Sequence, residues 1–213
     1  MTCRALYVSV WRNKMADFER LVASGEDPTL PYTNDRTLLH LACWYGYIDL
    51  VQRLIELNSS LEAKDIDGNT PIRFAVKGGH YSVVKLLLAK GANPDSTNLD
   101  GSSLLHDAAA SGNIKLIEHL LATKADIHVK TAKGDSPLHI AIRQQQKRAV
   151  GILDKNGADW NAPNNAGVTP LKLIEIVDNP WFEQWQKKLL KEGRHPSSQS
   201  VILTTSSVNP EPV

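Results

Sequence analysis

Four glycines, Gly68, Gly101, Gly134 and Gly167, follow one another at intervals of 33 residues, and the segments around them line up along their whole length. Asp35 holds the same place one interval earlier. The aligned copies read NDRTLLHLACWYGYIDLVQRLIELNSSLEAKD, IDGNTPIRFAVKGGHYSVVKLLLAKGANPDSTN, LDGSSLLHDAAASGNIKLIEHLLATKADIHVKT and AKGDSPLHIAIRQQQKRAVGILDKNGADWNAPN. A shorter, diverged copy precedes them in WRNKMADFERLVASGEDP, and a last one opens as NAGVTPLKLIEIV before departing from the pattern. A fixed period of this length marks an array of small units, each too short to bury its own apolar face, which is therefore shared between stacked neighbours.

Within a copy the apolar spacing is helical. Leu39, Ala42 and Cys43 fall on one face of a short helix, and Ile48, Val51, Leu54 and Ile55 form a stripe on the next. Ala42, Ala75, Ala108 and Ala141 recur where the two helices of a pair must approach closely. Pro71, Pro137 and Pro170 stand at a helix start, where a missing N–H costs little.

The segments TPI, SPLH, TPL, LLH followed by Ala, and LLLAKGANPD resemble the ankyrin repeat, over roughly residues 4 to 190 in six copies. The resemblance implies an all-α solenoid of helix-turn-helix units with β-turn and hairpin loops. Inner helices would line a concave side, outer helices the convex side, and the loops would project like fingers. The expected division is a degenerate N-terminal capping repeat over 1–33, four repeats over 34–163, a C-terminal capping repeat over 164–192 and a disordered Ser/Thr/Pro-rich tail over 193–213.

With 24 basic and 23 acidic residues the net charge is +1, which offers no reason to expect sequence-independent nucleic-acid binding. Two cysteines, Cys3 and Cys43, cannot build a disulfide framework, so an intracellular, cytoplasmic chain is expected, with the nucleus or a host cytosol as further compartments. No run reaches the length of a membrane span, and MTCRALYVSVWRNK lacks the uninterrupted apolar region of a signal peptide.

Catalysis is not expected. His40, His106 and His139 recur at one repeat position, one period apart, and the resemblance implies a structural hydrogen bond to the turn below rather than a metal site. Asp65, Asp67, Asp95, Asp100 and Asp126 lie near turns, where Asp bonds locally, and nothing sets one against a nucleophile. The recurring glycines mark a repeated turn and not a phosphate loop. No cofactor and no metal follow from these patterns.

In the ankyrin family the turn residues and the last exposed residues of the inner helix meet ligands. At those two helix positions stand Trp11 and Arg12, Trp44 and Tyr45, Lys77 and Gly78, Ala110 and Ser111, and Arg143 and Gln144. Together with Arg36 in a neighbouring turn, the N-terminal copies gather Trp11, Arg12, Trp44 and Tyr45 into a candidate contact patch; aromatic and Arg side chains often anchor interfaces. Lys77, Lys133, Asp135, Arg143 and Gln144 extend the candidates along the same face. Two other readings stand beside this one: Trp11 stacks on Trp44, or residues 1 to 10 fold over both.

Two copies depart from the pattern. RQQQKRAVGILDKNGAD places Gln145 where a glycine ends the inner helix, Gly151 inside the outer helix, and Asp154 where Ile55, Leu88 and Leu121 stand elsewhere. These changes, at about 1 kcal/mol or more each, predict a soft point relieved by Asp154→Leu. VDNPWFEQWQKKLL predicts a closing helix with Asp178 as cap, Pro180 in its first turn and Trp181, Trp185 and Leu189 on one face; the alternative is a partner-binding helix carrying Lys187, Lys188 and Lys191. The function expected is a non-catalytic scaffold, a monomer binding a protein partner through the concave face and turn tips, with neither nucleic acid nor membrane as ligand. The alternative is an exported bacterial effector or targeting module whose C-terminal tail serves as its address.

Overall fold

The computed structural model describes residues 3–177 and 180–193. The expected cap Asp178 and the tail beyond Gly193 lie outside these residues, as does the side chain of Trp181. The described residues form helices in six consecutive pairs: α1 (Cys3–Trp11) with α2 (Met15–Ala23), α3 (Leu38–Tyr45) with α4 (Ile48–Glu56), α5 (Pro71–Lys77) with α6 (Tyr81–Ala89), α7 (Leu104–Ser111) with α8 (Ile114–Ala122), α9 (Pro137–Arg143) with α10 (Lys147–Lys155), and α11 (Pro170–Ile176) with α12 (Pro180–Lys191). The first helix of each pair packs on the first helix of the next, from α1 through to α11, and this inner row is the spine of an all-α solenoid. No helix among the described residues is long and apolar enough to cross a membrane.

From α3 onward, each inner helix follows a Thr or Ser, a residue type that favours the N-cap. Thr37, Thr70, Ser103, Ser136 and Thr169 occupy the extended residue before α3, α5, α7, α9 and α11, and Pro71, Pro137 and Pro170 follow with no N–H to orphan. Three of these starts are closed by histidine. The Nδ1 of His40 accepts the Thr37 N–H at 3.0 Å, and His106 and His139 accept the Ser103 and Ser136 N–H groups at 3.1 Å each. That leaves the proton on Nε2, which donates to Asn69 O (3.0 Å), Asp135 O (2.9 Å) and Val168 O (3.0 Å) in the turn of the following pair. One neutral ring thus staples two neighbours, and burial chiefly pushes the pKa of all three histidines down.

The core runs along the stack. Leu39, Ala42 and Cys43 are fully buried, as are Ala75, Ala108 and Ala141 where the helix pairs close. The α4 stripe differs from its expected membership: Leu50, Val51 and Leu54 are buried, Ile55 is half-buried, and Ile48, the first residue of the helix, is exposed. The turns carry left-handed backbone at each recurring glycine, from φ 67° at Gly101 to φ 78° at Gly134, and Asp35 adopts φ 58° at the matching place. Main-chain bonds join the turn tips in series: Ile66 N–H to Asn34 O (3.1 Å), Leu99 to Asp67 (3.0 Å), Ala132 to Asp100 (2.8 Å) and Asn165 to Lys133 (3.0 Å).

Arg73 stands where the other copies carry histidine, and the stack absorbs it with a second substitution. Its guanidinium, 2 % exposed, donates to Ser102 O, the same turn carbonyl that the histidines seek, and pairs with Asp107 at 2.9 Å. Asp107 replaces an apolar residue of α7. Burial pushes its carboxyl upward and the Arg73 charge pulls it back. A lone buried charge here would be several kcal/mol unfavourable, so neither residue stands without the other.

The expected soft point needs correction at Asp154. Its side chain is buried but partnered: Trp160 Nε1 donates to Oδ1 at 2.8 Å and Lys188 Nζ to Oδ2 at 3.0 Å. Trp160 stacks on Trp185 with centroids 5.6 Å apart, and Lys188 lies 4.2 Å above the Trp185 ring. An alanine Cβ at Gly151 would meet Trp185 at 3.8 Å, an ordinary contact. These contacts seat α12 against α10, with Phe182 and Leu189 buried beneath it. Lys188 is therefore engaged within the fold, whereas Lys187 and Lys191 are exposed. Gln145 does adopt the left-handed conformation expected of the glycine it replaces, with φ 54°.

Candidate functional site

The inner faces of α1, α3 and α5 and the turns before them enclose a groove of about 850 Å³. Arg4 and Tyr7 come from α1, Tyr32, Thr33 and Arg36 from the following turn, His40, Leu41, Trp44 and Tyr45 from α3, Asp67 and Asn69 from the next turn, and Phe74 and Lys77 from α5. Phe74 is the hub. His40 meets it edge-on at 5.2 Å, Trp44 edge-on at 6.0 Å, and the Arg36 guanidinium sits 5.1 Å above its ring. Tyr7 leans on Tyr32 (4.8 Å) and Tyr45 stacks on Tyr47 (5.4 Å), so the aromatic walls are preformed. Trp44 nevertheless stays 44 % exposed and Tyr45 37 %.

The end of α3 that presents Trp44 is held from the next pair. His80 Nε2 lies 2.9 Å from Trp44 O, and its ring fills the space over Gly46 and Gly78. A Cβ on Gly46 would stand 2.3 Å from that ring, so the φ 75° glycine serves both the turn and the close approach.

Arg36 is set by a buried post. Asp65, whose side chain is fully buried, accepts the Asn69 N–H (2.8 Å), the Asn69 Nδ2 (3.0 Å), the Asp67 N–H (3.0 Å) and, at 3.3 Å, Arg36 Nε. Burial alone would raise this carboxyl, but the bonds from Asn69, Arg36 and Asp67 outweigh it and hold the pKa below the ordinary value.

The candidate patch divides. Arg36, Trp44, Tyr45 and Lys77 share the groove, while Trp11 and Arg12 do not line it. Arg12 folds back over the Trp11 ring at 5.8 Å and borders a separate hollow beside Arg4, Val8 and Lys14. Trp11 remains 45 % exposed, and among the described residues no ring contact joins it to Trp44. Residues 3–11 form the inner helix α1 and contribute a wall rather than a lid.

Lys133, Arg143 and Gln144 are exposed farther along the face and outside the groove. Asp135 is 3 % exposed and turned inward, where it binds Arg143 through both carboxylate oxygens (2.8 and 3.2 Å) and accepts Asn164 Nδ2 at 2.8 Å. Its carboxylate organises Arg143 instead of facing a partner. Arg4, Tyr7, Tyr32, Asn69 and Phe74 line the groove without a place among the sequence candidates, and Asp67, read from the sequence only as a turn residue, joins them. Phe74 carried a signal, an aromatic ring where the aligned copies have Leu41, Ile140 and Leu173.

Among the described residues no three His, Cys, Asp or Glu side chains are gathered closely enough to hold a metal ion. The Cys43 thiol is buried and its pKa is pushed well up by that burial. The three recurring histidines use both ring nitrogens within the fold.

No curated protein matches the sequence. A family model described as ankyrin repeats (3 copies) matches residues 6–98 and 105–174, most of the chain. Matched over that length, and built of helix pairs capped by Thr/Ser–Pro starts, stapled by histidine and turned at glycine every 33 residues, the chain belongs to the ankyrin-repeat family.

Proposed function

We propose that this chain is a non-catalytic protein–protein interaction scaffold that seats one partner in the inner-face groove formed by α1, α3 and α5, with the turn tips as a flanking contact. Ankyrin repeats are protein–protein interaction modules in general. The observation that carries the reading is Trp44, a large aromatic side chain left 44 % exposed although its helix end is fixed by His80 and its edge rests on Phe74. Ordering such a residue in advance removes an entropic penalty from binding, and clustered exposed aromatics mark interaction sites.

Trp44→Ala with Tyr45→Ala tests it. The double variant should keep its helical circular dichroism and its denaturant midpoint close to the parent, and weaken partner binding by about 2 kcal/mol or more. A folded variant that binds as the parent does would move the partner site off this groove.

A further inference from the structure

Arginine presents five N–H donors in a planar fork and stays charged in proteins. Arg36 uses one of them, since only Nε reaches Asp65, and the ring of Phe74 supports the face of the guanidinium. Among the described residues its two terminal amino groups make no hydrogen bond. Farther along the stack, Arg143 has both terminal nitrogens closed on Asp135. Arg36 is thus oriented but unsaturated, half-buried at the wall of an open groove.

The surrounding charges lean the same way. Arg4 and Lys77 line the groove with Arg36, against Asp67 alone among acidic residues, and neither Arg4 nor Lys77 forms an ion pair among the described residues. Beside the cations stands the exposed face of Trp44. A fixed guanidinium fork with an aromatic surface next to it matches a carboxylate on a chain that also carries an apolar side chain.

Resting on the groove reading above, we propose that the partner segment is an extended acidic peptide, with an Asp or Glu side chain gripped by the terminal amino groups of Arg36 and a neighbouring apolar residue laid on Trp44. Nucleic acid is the other polyanion such a groove would attract. It fits less well, because Asp67 stands in the lining and the inner-face positions beyond Lys77 hold Ala110 and the ion-paired Arg143, leaving no cationic track for a phosphate backbone.

A phage-displayed library of short linear peptides, selected on the full chain, supplies the test. The selected peptides should be enriched in Asp and Glu beside an apolar residue. Their binding, followed by fluorescence anisotropy, should weaken with added salt and fall roughly thirtyfold or more in Arg36→Met. Arg36→Lys, which keeps the charge without the fork, should recover only part of that loss, and circular dichroism confirms that each variant is folded. Selected peptides without acidic enrichment, lost with Trp44→Ala and Tyr45→Ala but indifferent to Arg36→Met, would overturn the acidic partner and leave the groove reading standing. Peptides indifferent to all of these changes, or no enrichment at all, would overturn both. A single-stranded oligonucleotide that displaces the peptides and itself depends on Arg36 would overturn the peptide assignment in favour of nucleic acid.

Discussion

Arg36 and Trp44 occupy the same two repeat positions as Asp135 and Arg143, three intervals apart. In the C-terminal half those positions hold opposite charges, and they close on each other at 2.8 and 3.2 Å. In the N-terminal half they hold a cation and an indole, which form no ion pair: the guanidinium turns to Asp65 through one nitrogen and lies over Phe74, and the indole leans on Phe74 while staying 44 % exposed. The backbone frame is common to both. Whether the inner face offers a groove or a sealed surface depends on whether the side chains of one repeat satisfy one another.

The junction between the two halves is the place to break the molecule. Alanine at Arg73 or Asp107 strands the other charge in the core and should lower the unfolding free energy by about 3–5 kcal/mol, read as a shift in denaturant midpoint. Arg73→His with Asp107→Leu restores the pattern of the neighbouring copies and should return stability to within about 1 kcal/mol of the parent.

Acid should act on both halves through the histidine staples. The pKa values of His40, His106 and His139 are depressed below the ordinary 6.5, so the unfolded chain binds protons that the folded chain refuses. Their stabilisation is fully present above that value and is lost as pH falls through the folded pKa values, by at most about 1.4 kcal/mol per pH unit for each. Unfolding midpoints should therefore drop as pH falls below about 6.5. The Arg73→His, Asp107→Leu variant, with a fourth staple, should drop more steeply.

Arg36→Asp, Trp44→Arg and Asp65→Asn together transplant Asp135, Arg143 and Asn164 into the N-terminal half. The new pair should close the groove and abolish about 2 kcal/mol or more of partner binding, while the variant stays folded, because Asp135, Arg143 and Asn164 already form this network on the same backbone frame. Retained binding in that variant would show that Trp44 and Arg36 are spectators. At the other end, Asp154→Leu should destabilise by about 1–3 kcal/mol, since it leaves the Trp160 N–H buried without its acceptor, and amide exchange should quicken in α10 and α12. The smallest change is Gln145→Gly, which relieves a left-handed non-glycine residue and should gain about 1 kcal/mol or less.

Much of this architecture was legible in the chain because it depends on local rules repeated from copy to copy. Thr/Ser–Pro starts, the alanine positions and the left-handed glycines each announce themselves within a few residues. Trp44 and Tyr45 could be placed on the inner face from register alone. What escaped were substitutions compensated across the stack. Asp154 looked like a lone defect because its partners lie six residues on, at Trp160, and far along the chain, at Lys188. Arg73 and Asp107 are each a departure from the repeat, 34 residues apart, and only the register of neighbouring inner helices brings them together. Arg12 escaped for a different reason: it is satisfied by the ring of Trp11 next to it, a choice of rotamer that spacing does not encode.

The turn tips are stitched to one another by a series of four main-chain bonds, from Asn34 through Asp67 and Asp100 to Lys133 and Asn165. No side chain takes part in those four bonds, so the spacing from tip to tip is a ruler that mutation at Ile66, Leu99 or Ala132 does not redraw. Folding and recognition are thereby inherited separately: one set of positions keeps the ruler, and another can be rewritten to acquire a new partner without the chain having to learn again how to fold.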